Sequence, residues 1–138
     1  MSISAISIGL SGIKAATAQV DASAENVANA LTTGVVPGSP GAADHPAYQP
    51  VTVELSEAAS SGQAAGVNVK LTRSTGSVLQ TYDPTSPLAN NKGMVAVPNI
   101  SVPGEVAKVL AARRQFEASS NLLQVATRMQ KSALDVLA

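Results

Sequence analysis

The sequence predicts an α+β chain in which long N- and C-terminal helices pack as a coiled-coil-like pair around a small, mostly antiparallel β segment with long loops. Three observations carry this. Ile3, Ile6, Leu10, Ile13, Thr17, Val20, Ala24, Val27 and Leu31 recur in alternating steps of three and four, which lays them along one helix face in coiled-coil spacing. Near the other end, Arg114, Glu117, Asn121, Gln124, Arg128, Lys131 and Asp135 form a polar stripe in the same rhythm, and Leu122, Leu123, Val125, Met129, Leu134 and Leu137 cover much of the remaining surface. Between the two, apolar residues alternate with polar ones at period two.

In chain order, the first helix is expected from about Ser4 to Leu31, closed by Asn29 and by Thr32-Thr33-Gly34. Pro37, Gly38, Pro40, Gly41 and Pro46 make Val35 to Ala47 a loop. Val51, Val53 and Leu55, and then Val67, Val69 and Leu71, read as half-buried strands, with the Ala-, Ser- and Gly-rich stretch Ser56 to Gly66 as a flexible connection. Further strands are expected at Val78 to Tyr82 and Met94 to Val97, all four in one small twisted sheet. The second helix starts between Ser101 and Glu105, since Pro103 fits only a first turn and Glu105 complements the helix dipole. The expected organisation is 1–34 as N-terminal helix, 35–100 as loop-rich β segment and 101–138 as C-terminal helix, forming one structural unit.

Composition narrows the function. The chain has 138 residues, one Phe (Phe116), two Tyr (Tyr48 and Tyr82) and no Trp. Ala, Val and Leu must therefore do most of the burying, and helices can approach closely. Nine basic and nine acidic residues give a formal charge of zero, without the clustered cations of a nucleic-acid footprint. With no cysteine, disulfides and thiolate metal sites are excluded. No basic n-region precedes an apolar run, and no run reaches membrane-span length. The start therefore reads as lacking a secretory signal.

Chemistry-bearing groups are sparse. His45 is the only histidine, beside Asp44 in the Pro-Gly loop, and neither a metal shell nor a Ser39–His45–Asp44 arrangement has anything to orient it. Gly34 to Gly41 lacks the Lys-Ser/Thr ending of a phosphate cradle. Lys108, Arg113 and Arg114 read as a solvated face with pairing to Glu117. No catalytic residue, metal, cofactor, nucleic acid or small-molecule substrate is expected. The helices suit helix–helix association, with Ile6, Leu10, Ile13, Val20, Val27 and Leu31 set against Phe116, Leu123, Met129, Leu134 and Leu137. From the residues alone a soluble helical adaptor or chaperone-like module using the same seams stays open as an alternative, and a small hydrolase is disfavoured by the lone histidine.

Several segments also resemble a known family. Asn26-Val27-Ala28-Asn29-Ala30 followed by Thr32-Thr33-Gly34 is similar to the close of the first helix in flagellar axial proteins, those of rod and hook. Arg114-Gln115-Phe116-Glu117-Ala118 resembles their C-terminal Arg-x-aromatic-Glu/Gln-Ala segment. Tyr82-Asp83-Pro84, Gly93-Met94-Val95, Pro98-Asn99-Ile100 and Glu105 resemble the middle of a proximal-rod member. Val35, Met94, Val106 and Ser119 depart from the family's usual aromatic, Tyr, Met and Asn, as in a divergent copy. The resemblance implies a non-enzymatic subunit of the flagellar proximal rod, needed for flagellum assembly and motility. It would polymerise with itself and other rod subunits and meet base-ring and export-gate components. It implies a place in the basal body across the periplasm, reached through the flagellar type III apparatus, with terminal helices that order on polymerisation.

Overall fold

The computed structural model describes residues 2–60, 63–74 and 78–137, with the side chains of residues 2–4, 59–60, 63–65 and 136–137 outside that description. The order of elements is α1 (Ser2–Ala28), β1 (Val51–Ser60), β2 (Gln63–Arg73), β3 (Val78–Tyr82), β4 (Met94–Pro98) and α2 (Val102–Leu137). The α+β class and both terminal helices agree with the sequence reading. The chain divides into two compact units, one of residues 1–21, 53–71 and 107–138, the other of residues 22–52 and 72–106.

In the first unit, α1 and α2 meet through small residues. A Cβ placed at Gly12 would run into Ser119 Oγ, and one at Gly9 would lie 3.3 Å from the Ser119 carbonyl and 3.5 Å from Leu123 Cβ. Ala15, Ala16, Ala112 and Ala126 are buried. With so little side chain at the crossing, backbones come close and dispersion is gained across many short contacts. The β1–β2 ribbon is joined across two residues, so its strands are antiparallel. It is tied to α1 by Ser11, whose hydroxyl donates to the Ile8 carbonyl (2.8 Å) and accepts from the Val67 N–H (3.1 Å). Lys70 and Glu54 pair across the ribbon at 3.7 Å.

In the second unit, β3 and β4 pair antiparallel with Gln80 opposite Ala96. Val36, Ala47 and Ala96 form its core, with Val78 and Met94 packed on them. Gly34 lies against the outer edge of β4: its N–H reaches the Ala96 carbonyl at 2.8 Å, and the Ala96 N–H returns to the Gly34 carbonyl at 2.9 Å. Pro98 is two residues on, also on that outer edge, so its missing N–H costs the β3–β4 ladder nothing. Gly93, at φ +71°, closes the β3–β4 connection in a left-handed conformation that L side chains rarely adopt. Asn90 Oδ1 accepts from the Lys92 and Met94 N–H groups at 2.9 and 3.1 Å in the same turn.

Several expectations are corrected. The stretch 56–66 is not a flexible connection, since β1 runs on to Ser60 and β2 begins at Gln63. Its small residues carry no readable alternation; the cross-strand ladder, a tertiary feature, extends it. Among the described residues the strands form two two-stranded sheets rather than one. At Val51 the edge of β1 is taken by Asn26, and at Ala96 the edge of β4 is taken by Gly34. The loop 35–47 is ordered by turns and buries Val35, Val36 and Ala47. Helix α1 stops at Ala28, three residues before the apolar rhythm does. Asn29 ends it, its side-chain amide donating to the Glu25 carbonyl at 2.9 Å and satisfying a late acceptor. At the other helix, Ser101 caps α2, accepting from the Gly104 N–H at 3.3 Å, and Pro103 sits in the first turn as anticipated.

Gly34 generates a testable expectation. A Cβ there would collide with the backbone of Ala47 and lie 2.7 Å from the Pro46 carbonyl carbon. Backbone cannot swing aside as a side chain can, so Gly34→Ala should destabilise the second unit by about 1–3 kcal/mol. A thermal melt followed by circular dichroism checks this; an unchanged midpoint would contradict the close approach.

Candidate assembly surface and the residues that hold it

Helix α1 divides its residues in an unexpected way. Its small side chains are inside: Ala15, Ala16, Ala22 and Ser23 are buried. Its large apolar side chains are not. Ile6, Ile13 and Val20 are half-buried, Val27 is exposed and Leu10 is 46% exposed; Leu31, beyond the helix end, is 90% exposed. Helix α2 repeats the pattern: Ala112 and Ala126 are buried and Leu123 is half-buried, whereas Leu110, Phe116, Leu122, Val125, Met129 (67%) and Leu134 are exposed. The side chain of Leu137 lies outside the described residues. So the intrachain seam is one residue off the apolar rhythm, at Gly9, Gly12 and Ala16 rather than Leu10, Ile13 and Thr17. An apolar groove of about 520 Å3 opens in the first unit among Ala16, Val20, Val109, Ala112 and Phe116. The Arg113–Glu117 pair (3.1 Å) also lines it; this is an i,i+4 pairing by Arg113, with Arg114 exposed.

The family-like residues fall into two groups. One group, all within the second unit, holds the backbone or packs on the turn at Gly93. Asn26 is 1% exposed. Its Nδ2 donates to the Val51 carbonyl (2.8 Å), and its Oδ1 accepts from the Val51 N–H (2.8 Å) and the Tyr48 hydroxyl (3.1 Å). The side-chain amide thus takes the place of a neighbouring strand's peptide at the first residue of β1. Exposed Glu25 and Arg73 reach each other at 3.4 Å beside it. Gly34 and Pro98 are buried, Gly93 and Asn29 half-buried. Exposed Tyr82 and Pro84 lie against Gly93, whose added Cβ would be 2.8 and 3.1 Å from their ring carbons. Glu105 is buried near the start of α2. A second group, Ala28, Thr33, Asn99, Arg114, Glu117 and Ala118, is exposed.

Sequence reasoning did not find Gly9, Gly12, Ser11, Tyr48 or Val51 as positioning residues. The Gly9-x-x-Gly12 spacing was the available signal for a close helix crossing. His45 is exposed and lines an open hollow of about 580 Å3 with Ser39, Asn90 and Lys92; its backbone carbonyl accepts from the Val35 N–H at 2.9 Å. Among the described residues no three or more His, Asp or Glu side chains gather as metal ligands, and no helix is long and apolar enough to cross a membrane.

Comparison with known proteins gives a consistent result. Residues 91–136 match the family model described as flagellar basal body rod FlgEFG protein C-terminal. The flagellar basal-body rod protein FlgC of Agrobacterium fabrum is 31% identical over 127 residues, covering 92% of this chain and 88% of that protein. The FlgC of Salmonella typhimurium is 29% identical, covering 90% of this chain and 89% of its own length. That of Borreliella burgdorferi is 26% identical, covering 97% and 96%.

Two outcomes follow from the Asn26 cluster. Asn26→Ala should cost about 2–4 kcal/mol, because it strands a buried N–H and a carbonyl at once; chemical denaturation measures it, and a loss below that of an ordinary surface change would dismiss the clamp. Burial pushes the Tyr48 phenol above its usual 10.0, and the neighbouring Glu25 carboxylate adds to this while Arg73 opposes it. The neutral phenol is then the form the fold favours, so its contribution is complete below pH 10.0 and is lost as pH rises through the higher folded value. In a Tyr82→Phe background, ultraviolet titration should place the Tyr48 midpoint higher in native protein than in denaturant.

Proposed function

Since this chain belongs to the flagellar basal-body rod protein FlgC family, we infer that it is a structural subunit of the bacterial flagellar proximal rod. It polymerises through lateral and axial helix packing with copies of itself and with other rod subunits. One observation carries the assembly mode: α1 and α2 bury their small residues within the chain and leave Leu10, Leu110, Phe116, Met129 and Leu134 exposed, as is Leu31 just beyond α1. An exposed apolar surface of this extent marks an association site, and covering it contributes about 25 cal/mol per Å2.

The mechanism is one of division of labour. Close crossing at Gly9 and Gly12 holds the two helices of the first unit together. Their unfilled apolar stripes and the Phe116 groove then receive helices of neighbouring subunits. Such contacts join different surfaces of identical chains, and so propagate as a helical array rather than closing as a dimer. Ile6, Leu10, Ile13, Val20, Val27 and Leu31, with Phe116, Leu123, Met129, Leu134 and Leu137, form this packing set. Ala28, Asn29, Thr33 and Asn99, together with Arg114, Glu117 and Ala118, would meet neighbours from the polar side. Base-ring and export-gate components are the expected partners at the rod's cell-proximal end. Passage through the flagellar type III apparatus would place the chain in the basal body, and no catalytic activity or cofactor is part of this role.

Leu10→Asp separates assembly from folding. Because Leu10 is 46% exposed in the single chain, the change should cost the monomer only about 1–2 kcal/mol, from lost partial burial and the weaker helix propensity of Asp. Rod formation should nevertheless be abolished, since an unpaired carboxylate would be buried between subunits. Electron cryo-microscopy of basal bodies, with a melt of the purified variant, reads both quantities. His45→Ala should form rods normally. Intact rods with Leu10→Asp, or lost rods with His45→Ala, would overturn the packing account.

A further inference from the structure

The outer edge of β3, and the outer edge of β1 beyond Val51, have backbone groups that no described partner takes, and the two edges are complementary. In the β3–β4 pair, Ala96 turns both its N–H and its carbonyl outward to Gly34. Gln80, its partner in the register, therefore points its own N–H and carbonyl away from β4, and so do Val78 and Tyr82 by alternation. No described backbone hydrogen bond reaches that outer edge of β3. The strand reads Val-Leu-Gln-Thr-Tyr, with no proline or charge, and Leu79 and Tyr82 are exposed. Apart from its shortness, at five residues, this uncharged edge carries neither the charge nor the proline that usually discourages pairing.

On β1, Val51 presents both backbone groups to the Asn26 amide. By the same alternation Val53, Leu55 and Glu57 offer theirs on that edge, where no described partner takes them. Leu55 is exposed there. The amide at Val51 makes the paired bonds of an antiparallel neighbour, so the edge is already shaped for one. Charge decides which edges combine. β1 carries Glu54, which Lys70 pairs across the ribbon, and Glu57, and two β1 edges together would bring Glu57 carboxylates toward one another. β3 is neutral, with Lys92 in its connecting turn. A β3–β3 pair would be symmetric and would close on itself, whereas β3 against β1 joins unlike surfaces and propagates.

We propose that the outer edge of β3 pairs antiparallel with the outer edge of β1 from a second copy. Neighbouring subunits then share a four-stranded ribbon in the order β2, β1, β3, β4. This rests on the rod-subunit reading, and adds a backbone-mediated contact between copies to the helix packing. Main-chain bonds would supply the attachment, and the register of Gln80 near Leu55 its specificity.

The absence of cysteine makes cross-linking a clean test. Cells lacking the native chain would co-express Gln80→Cys with Val53→Cys, Leu55→Cys or Glu57→Cys, and isolated basal bodies would be mildly oxidised. Directly opposed residues in such a pair lie about 5.5 Å apart at Cα, within disulfide reach. At least one mixture should give a cross-linked dimer that each variant alone does not. Thr81→Cys, whose side chain points to the other face, should give none with any of the three. Gln80→Pro removes the outward donor and spares the β3–β4 ladder; it should retain the native circular dichroism spectrum and lose rods. Rods that form without any Gln80 cross-link would overturn the proposal and leave the rod reading standing. Dimers from Gln80→Cys alone would show β3–β3 pairing instead and also overturn it. Complete rods in cells without this chain would overturn the rod reading itself.

Discussion

The side-chain amide of Asn26 fixes how helix and strand are joined. It is buried, and a buried amide with unmet donors or acceptors is costly. Here it finds both backbone groups of Val51 and the Tyr48 hydroxyl. Three consequences depend on that geometry. The last turn of α1 is held to the first residue of β1, the edge parity of β1 is set, and the intervening loop must return between residues 29 and 50. That return brings Gly34 onto Ala96 and Val35 onto His45, and with them the small core of the second unit. Polar pairing thus does in this unit what bulky side chains do in larger cores.

Shortage of bulk is the second governing condition. One Phe, two Tyr and no Trp leave little to fill a wide interior, so the chain brings backbones together instead. Gly12 against Ser119, Gly34 against Ala47 and Gly93 against Tyr82 are all approaches that a Cβ would block. Close packing of small groups is economical in volume but buries little apolar area, and the larger side chains remain outside. In a subunit whose family builds the flagellar rod, that leaves the strongest apolar surface to contacts between chains. A modest interior and an exterior rich in large apolar side chains are two results of one allocation.

The same allocation explains why the candidate surface holds so little chemistry. His45 and Asp44 are solvent-facing, and half-buried Asp83 is taken up in its own turn, accepting from the Thr85 N–H and hydroxyl at 3.2 and 2.7 Å. What is organised is backbone: caps, turns and strand edges.

Much was legible in the sequence. Seven-residue rhythm and the Pro and Gly boundaries specified two terminal helices, because helical periodicity and breaker residues act locally. Period-two alternation located the beginnings of β1 and β2, and the turn signal from Asn90 to Gly93 marked the start of β4, with β3 expected at Val78 to Tyr82. The Asn26, Gly34 and Gly93 segments carried the family resemblance, though not what those residues do. Tertiary structure decided three things. It extended β1 to Ser60 and began β2 at Gln63, where Ala, Ser and Gly have no strand preference and only a cross-strand partner supplies one. It split the β segment into two ribbons, since the Asn26 amide and Gly34 occupy edges that no local pattern marks. It also moved the intrachain seam of α1 one residue over, from Leu10 and Ile13 to Gly9 and Gly12. An apolar stripe tells that a face will be covered; whether by its own chain or by another depends on how near the backbones can come, and that distance is set by residues with no side chain to read.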